Sequence, residues 1–116
     1  MTDGTLIEQA VLDYIEGWYA AEGQRMDRAI HAKLAKRRIS PEGEVRDTTR
    51  DWMVDAAQSG RGRIEYPEKG CKDITILDAT DTMASVKLVS EVFVDYIHLA
   101  KVQGRWVIVN VLWDFR

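Results

Sequence analysis

Asp95-Tyr96-Ile97-His98-Leu99-Ala100-Lys101-Val102-Gln103-Gly104-Arg105-Trp106-Val107-Ile108-Val109-Asn110-Val111-Leu112-Trp113 decides the fold. Two runs rich in Val, Ile, Leu and aromatic residues flank Gln103-Gly104. That dipeptide reads as a two-residue hairpin turn, with glycine where a positive φ is tolerated. The composition of the runs suits a half-buried pleated surface. Counting back from the turn, Val102 faces Arg105, Lys101 faces Trp106, Leu99 faces Ile108, Ile97 faces Asn110 and Asp95 faces Leu112. The inward row is then Asp95, Ile97, Leu99, Ile108, Asn110 and Leu112. The outward row is Tyr96, His98 and Ala100 with Val107, Val109 and Val111, and Trp113 beyond. A slip of one residue would turn Tyr96 and His98 inward and Asp95 out.

Both rows are largely apolar, whereas an antiparallel sheet with one wet face alternates more strictly. Helices elsewhere in the chain can cover one face. The other calls for a second copy, so the pattern predicts a two-fold homodimer through Tyr96, His98, Val107, Val109, Val111 and Trp113.

Upstream, Lys72 to Leu77 and Met83 to Ser90 read as two further strands, with Ala79-Thr80-Asp81-Thr82 as a turn. The period then changes. Ile7, Val11, Tyr14, Ile15 and Trp18 mark one face of a first helix, opened by a Thr5/Glu8 capping box and stopped at Gly23. Met26, Ile30 and Leu34 predict a second helix from about Gln24 to Ala35. The stretch from Arg37 to Asp47, broken by Pro41-Glu42-Gly43, is a small hairpin or a loop. A third helix follows, capped by Thr48 or Thr49, carrying Trp52, Met53 and Ala56, and ended by Gly60. Helices first and a meander last make an α+β architecture in one domain over residues 1–116.

The bulk numbers narrow the function. A net charge of −3 gives no electrostatic footprint for nucleic acid. Lys33, Lys36, Arg37 and Arg38 read as solvated surface rather than a phosphate site. The glycine-containing loop from Gly60 to Gly70 has no phosphate-cradle spacing. The lone Cys71 reads as an inert thiol at a strand start. No signal-peptide pattern or membrane-length apolar run is present, so the expected location is cytoplasmic.

Tyr14-Ile15-Glu16-Gly17-Trp18-Tyr19, Ala29-Ile30-His31, Leu34-Ala35-Lys36-Arg37-Arg38, and Asp95 to Lys101 with Gly104 to Trp113 resemble the putative lumazine-binding group of the NTF2-like (SnoaL-like) superfamily. The resemblance spans nearly the whole chain and is most specific in the hairpin. It implies a cystatin-like cone: helices on the concave face of a curved antiparallel sheet, a pocket between them, and dimers formed through the sheet. The superfamily contains isomerases, cyclases, dehydratases and non-catalytic proteins, so the fold leaves the reaction open. His-Pro-Asp is usual after the helical histidine of the group. Here Ala32-Lys33 follows His31.

Within such a cone the sequence nominates a site. Tyr14, Trp18 and Trp52 are candidate pocket walls, the competing reading being core packing. Asp95 in an apolar cavity would have a raised pKa, suiting an acid or base, and Tyr14 is its candidate hydrogen-bond partner. Asn110 could donate to a developing oxyanion. His31 is placed at the pocket mouth and His98 at the dimer face. Two isolated histidines do not make a metal site, and no cofactor is expected. The expected function is binding of an unidentified small molecule. The alternatives are a cofactor-independent isomerase, cyclase or dehydratase using Asp95 and Tyr14, or a non-catalytic dimerisation module.

Overall fold

A computed structural model describes all of residues 1–116. Helix α1 (Asp3–Tyr19) and the short α2 (Gly23–Ala29) lead into strand β1 (Ile30–Ile39). Strand β2 (Val45–Thr48), helix α3 (Arg50–Gln58), a 3-10 turn at Pro67–Lys69 and strands β3 (Lys72–Ala79), β4 (Met83–Ser90), β5 (Phe93–Val102) and β6 (Arg105–Phe115) follow. The six strands form one sheet in the order β2-β1-β6-β5-β4-β3. All neighbours are antiparallel except β1 and β6, which run parallel. The sheet is therefore mixed, and the helices pack on one of its faces as the cone requires. No helix is long and apolar enough to cross a membrane.

The second helix is half the expected length, because its second half is strand β1. Met26, Ile30 and Leu34 are spaced by four, which a helix face needs but which a strand's two-residue alternation also satisfies. Ala, Lys, Leu and Arg favour a helix by weak propensity, and pairing to the central strand β6 outweighs it. Pro41-Glu42-Gly43 turns the chain into an antiparallel hairpin, with Ile39 opposite Val45. At the start, Thr2 rather than Thr5 caps α1, its hydroxyl accepting from the Thr5 amide. Helix α1 stops at Tyr19, and Ala21 takes the positive φ of 57° instead of Gly23, which begins α2. Thr49 caps α3 through the Trp52 amide.

The core lies between α1 and the inner sheet face. Ile7, Val11, Tyr14 and Ile15 of α1 meet Val86, Leu88, Ile97, Leu99, Ile108 and Val111, all buried. An ion-pair cluster clasps the helices from outside. Asp13 of α1 binds Arg25 and Arg28, and Glu16 binds Arg25 and Lys72. The arginine and lysine partners hold both carboxyls below their ordinary range against the opposing effect of burial.

The last hairpin sets the geometry of the site. Gln103 and Gly104 both take positive φ, 51° and 79°, as a tight hairpin turn requires. The expected pairs hold from Val102–Arg105 through Leu99–Ile108. Beyond them β6 carries one extra residue, Val109, so that Asn110 pairs with His98, Val111 with Ile97, Leu112 with Tyr96 and Trp113 with Asp95. The bulge reverses the facing of everything after it. Val111 is 3% exposed and Leu112 54%. Asn110 therefore stands on the outer face, exposed, beside His98. Val111 and Trp113 leave the outer row for the inner one. Strand β1 is irregular at the same level, between Ile30 and Ala35. Paired irregularities of this kind bend a sheet and increase its twist. Here they lie where the inner face curls over α1.

Candidate functional site

A cavity of about 210 Å³ sits between α1, α3, β1 and the ends of β5 and β6. Its walls are aromatic: Trp18, Trp52, Phe93, Trp113 and Phe115. Phe93 meets Trp113 edge-on with centroids 5.1 Å apart, and Phe115 meets it at 5.3 Å. The edge-to-face geometry suits the quadrupoles of the rings and makes a stiff wall. Trp52 stands on the other side, 45% exposed, with the Arg61 guanidinium 5.2 Å from its ring centre. The loop after α3 passes close behind Trp18. A Cβ at Gly62 would overlap the Trp18 indole, so only glycine lets the wall stand where it does.

At the base of this apolar cavity lies a chain of three polar groups. Tyr14 donates its phenolic hydrogen to Asp95 Oδ2 at 3.1 Å. Lys36 Nζ donates to the same phenolic oxygen at 2.5 Å. The hydroxyl thus bridges an ammonium and a carboxylate. Each member comes from a different element. Tyr14 lies on the buried stripe of α1. Asp95 lies in the inward row of β5, 4% exposed. Lys36 shares the inward parity of Ile30 and Leu34 on β1 and pairs in register with Val111.

Burial shapes the titration of all three. It raises the Asp95 carboxyl above the usual carboxylate value, against the opposing pull of Lys36 and the Tyr14 hydroxyl. It raises Tyr14 well above 10, reinforced by the neighbouring Asp95 charge. It lowers Lys36 to about 8, opposed by attraction to Asp95. Lys36 is only half-buried as a residue, yet its ammonium is enclosed by rings: it lies 5.0 Å from the centre of Tyr14 and 5.7 Å from that of Trp113. Trp113 Nε1 is buried with no hydrogen-bond partner.

The sequence nominees divide accordingly. The structure brings Tyr14, Trp18, Trp52 and Asp95 to one cavity. Asn110 is not there, because the Val109 bulge turns it to the opposite face. His31 is not there either. It stands near the start of β1, where its Nδ1 accepts from the Lys33 amide at 2.9 Å. Lys36, expected on a solvated surface, reaches the base of the cavity instead, because β1 runs on through it and gives it the inward parity of Leu34. Arg38 leans on Phe115, 4.6 Å from its centre, and pairs with Asp114. Lys36, Phe93, Phe115, Arg61 and Gly62 were not nominated. Only Lys36 left a sequence signal, its even spacing from Ile30 and Leu34.

A family model described as putative lumazine-binding matches residues 2–114. The chain belongs to that family. Solved structures agree on the fold. An NTF2-like protein of unknown function from Silicibacter pomeroyi superposes with a TM-score of 0.83 at 16% identity, over 100% of both chains. One from Methylobacillus flagellatus gives 0.80 at 21% identity, over 98% of this chain and 92% of that one. A protein of unknown function with a cystatin-like fold, from Nostoc punctiforme, gives 0.70 at 8% identity, over 98% and 91%. No curated protein matches the sequence. The chain thus has an NTF2-like cone whose fold is shared far more widely than its sequence.

Proposed function

We propose that this chain binds a small planar molecule in the aromatic-walled cavity, with the molecule's polar edge on Lys36, Tyr14 and Asp95. The observation that carries the reading is the buried Lys36–Tyr14–Asp95 chain at the base of a cavity otherwise lined by rings. A few placed polar groups in an apolar concavity are what orient a ligand. The volume lies below the roughly 300–1,000 Å³ of drug-sized sites, so the ligand is small. Lumazine, named in the description of the family, is a fitting first probe. It is flat, and its edge offers carbonyl acceptors for Lys36 and a ring N–H donor for Asp95. Saturable quenching of tryptophan fluorescence by lumazine is expected. Trp52→Ala should weaken it about tenfold, the loss of one stacking face. No quenching by lumazine, together with no small molecule co-purifying in native mass spectrometry, would sink the binding reading.

Two further readings stay attached to specific observations. The raised Asp95 carboxyl beside Tyr14 favours a cofactor-independent proton-transfer enzyme, an isomerase, cyclase or dehydratase with Asp95 as the acid or base. The outer sheet face favours a homodimer. It exposes Tyr96 at 48% and Leu112 at 54%, beside His98, Val109 and Val94. With Val111 and Trp113 turned inward, Leu112 takes their place in the proposed interface. Sedimentation should show a dimer at micromolar concentration, and Tyr96→Lys with Leu112→Lys a monomer of unchanged helicity. A wild-type monomer would remove the interface.

A further inference from the structure

Lys36 is placed to do more than hold a ligand. Its ammonium has one protein partner, the Tyr14 hydroxyl, and no carboxylate in direct contact. The cavity that contains it is apolar and open to small molecules. We propose that Lys36 is an amine nucleophile that captures an aromatic aldehyde or ketone as an imine within this pocket. The inference rests on the pocket reading above and adds a covalent step to it.

The geometry supplies the proton path. Lys36 donates to the Tyr14 oxygen, and Tyr14 donates to Asp95 Oδ2. A proton leaving the ammonium passes onto the Tyr14 oxygen as the phenolic proton passes to Asp95. The result is a neutral amine, a neutral phenol and a protonated carboxyl. The nitrogen lone pair then attacks the carbonyl carbon, and the carbonyl oxygen takes the nitrogen's second proton, giving a carbinolamine. The Asp95 proton returns through Tyr14 to the hydroxyl of that adduct. The C–O bond breaks, water leaves, and the nitrogen lone pair closes the C=N bond as a protonated imine. The sum is one ammonium and one carbonyl in, one iminium and one water out, with no oxidant or reductant.

The titration agrees. With its pKa near 8, about a quarter of Lys36 is free amine at pH 7.5, roughly two-hundredfold more than for an amine of ordinary lysine pKa. A desolvated lysine is a recognised way to make that nucleophile at neutral pH. The charged and titratable groups lining the cavity are Asp95 from β5, Tyr14 from α1 and Arg61 from the loop after α3. Asp95 pulls the Lys36 value up and burial pulls it down further. The rings on either side fix the substrate class: a carbonyl carried on a flat apolar body.

The chain's other five lysines, Lys33, Lys69, Lys72, Lys87 and Lys101, are the internal control. Wild-type protein is treated with benzaldehyde and cyanoborohydride, and the benzylated lysines are located by peptide mass spectrometry. Lys36 should be labelled at least tenfold faster than any other lysine, with a rate that rises through a midpoint near pH 8. Tyr14→Phe should slow Lys36 selectively, leaving the other five unchanged. Benzyl alcohol, which has the ring and no carbonyl, should shift the tryptophan side-chain NMR signals of the pocket and protect Lys36. Labelling of Lys36 no faster than Lys33 and Lys69, with benzyl alcohol still bound, overturns the imine and leaves the pocket standing. Failure of both labelling and benzyl alcohol binding overturns the pocket as well.

Discussion

Replacing Tyr14 with Phe is expected to cost about 1–3 kcal/mol of stability at pH 7, and less as the pH falls. The ring is kept, so packing against α1's neighbours changes little. What is lost is the hydroxyl that serves two buried charges at once, donating to Asp95 and accepting from Lys36. The pH dependence follows from Asp95. Burial raises its native value above the ordinary 3.8 of an aspartate, so the native state holds the proton more tightly than the unfolded chain. That contribution is fully present below 3.8 and is lost as the pH rises through the native value. The Tyr14 hydrogen bond favours the carboxylate and limits the loss. Without it the native value climbs further, and stability falls more steeply toward pH 7. Urea unfolding of both proteins at several pH values between 3.5 and 7, with unchanged slope m, measures the difference. A penalty that stays constant over that range would mean that Asp95 does not titrate through Tyr14.

Why Lys36 escaped the sequence, while Tyr14, Asp95 and most of the fold did not, is a matter of what spacing can carry. The pair Tyr14 and Asp95 was legible because each sits in an unambiguous pattern: Tyr14 on the stripe of α1, Asp95 in the alternation of β5. Lys36 was not, because a spacing of four belongs to helices and strands alike, and the pairing that chose the strand lies 75 residues away in β6. A basic run beside it looks like solvated surface until one of its members is seen to share parity with Leu34. The aromatic walls Phe93 and Phe115 lie at strand ends, where alternation has too few residues to declare a face.

The glycine that seats Trp18 was equally silent. Gly62 lies in a loop with no phosphate-cradle spacing, and its role is a close approach to Trp18 of α1, which no local spacing encodes. The bulge is the instructive case. Val109 differs in no chemical respect from Val107 or Val111, so nothing in its type marks it as the unpaired residue. The turn set the register correctly for its first pairs, and the bend needed to wrap the sheet over α1 then displaced the rest. One inserted residue exchanged Asn110 for Trp113 on the inner face, and with it a polar candidate for an aromatic wall.

That exchange has a stability signature larger than any other expected here. Ile97→Ala should cost about 2–5 kcal/mol, since the side chain is fully buried and its neighbours Val86, Leu99 and Val111 cannot all collapse onto the space. Val111→Ala, its cross-strand partner, removes two methyl groups and should cost about 1–3 kcal/mol. Leu112→Ala removes more apolar atoms, yet should change stability by less than about 0.5 kcal/mol when measured dilute enough to dissociate any second copy. The ordering is what discriminates. A regular, unbulged ladder puts Leu112 inside and Val111 outside, and would make Leu112→Ala the costly change. Size alone predicts the same wrong order. Only a strand that gains one residue between Ile108 and Asn110 makes the smaller side chain the more valuable one. Chemical denaturation of the three variants, read against the wild type, therefore tests the bulge, and through it the inward placement of Trp113 on which the aromatic wall of the pocket depends.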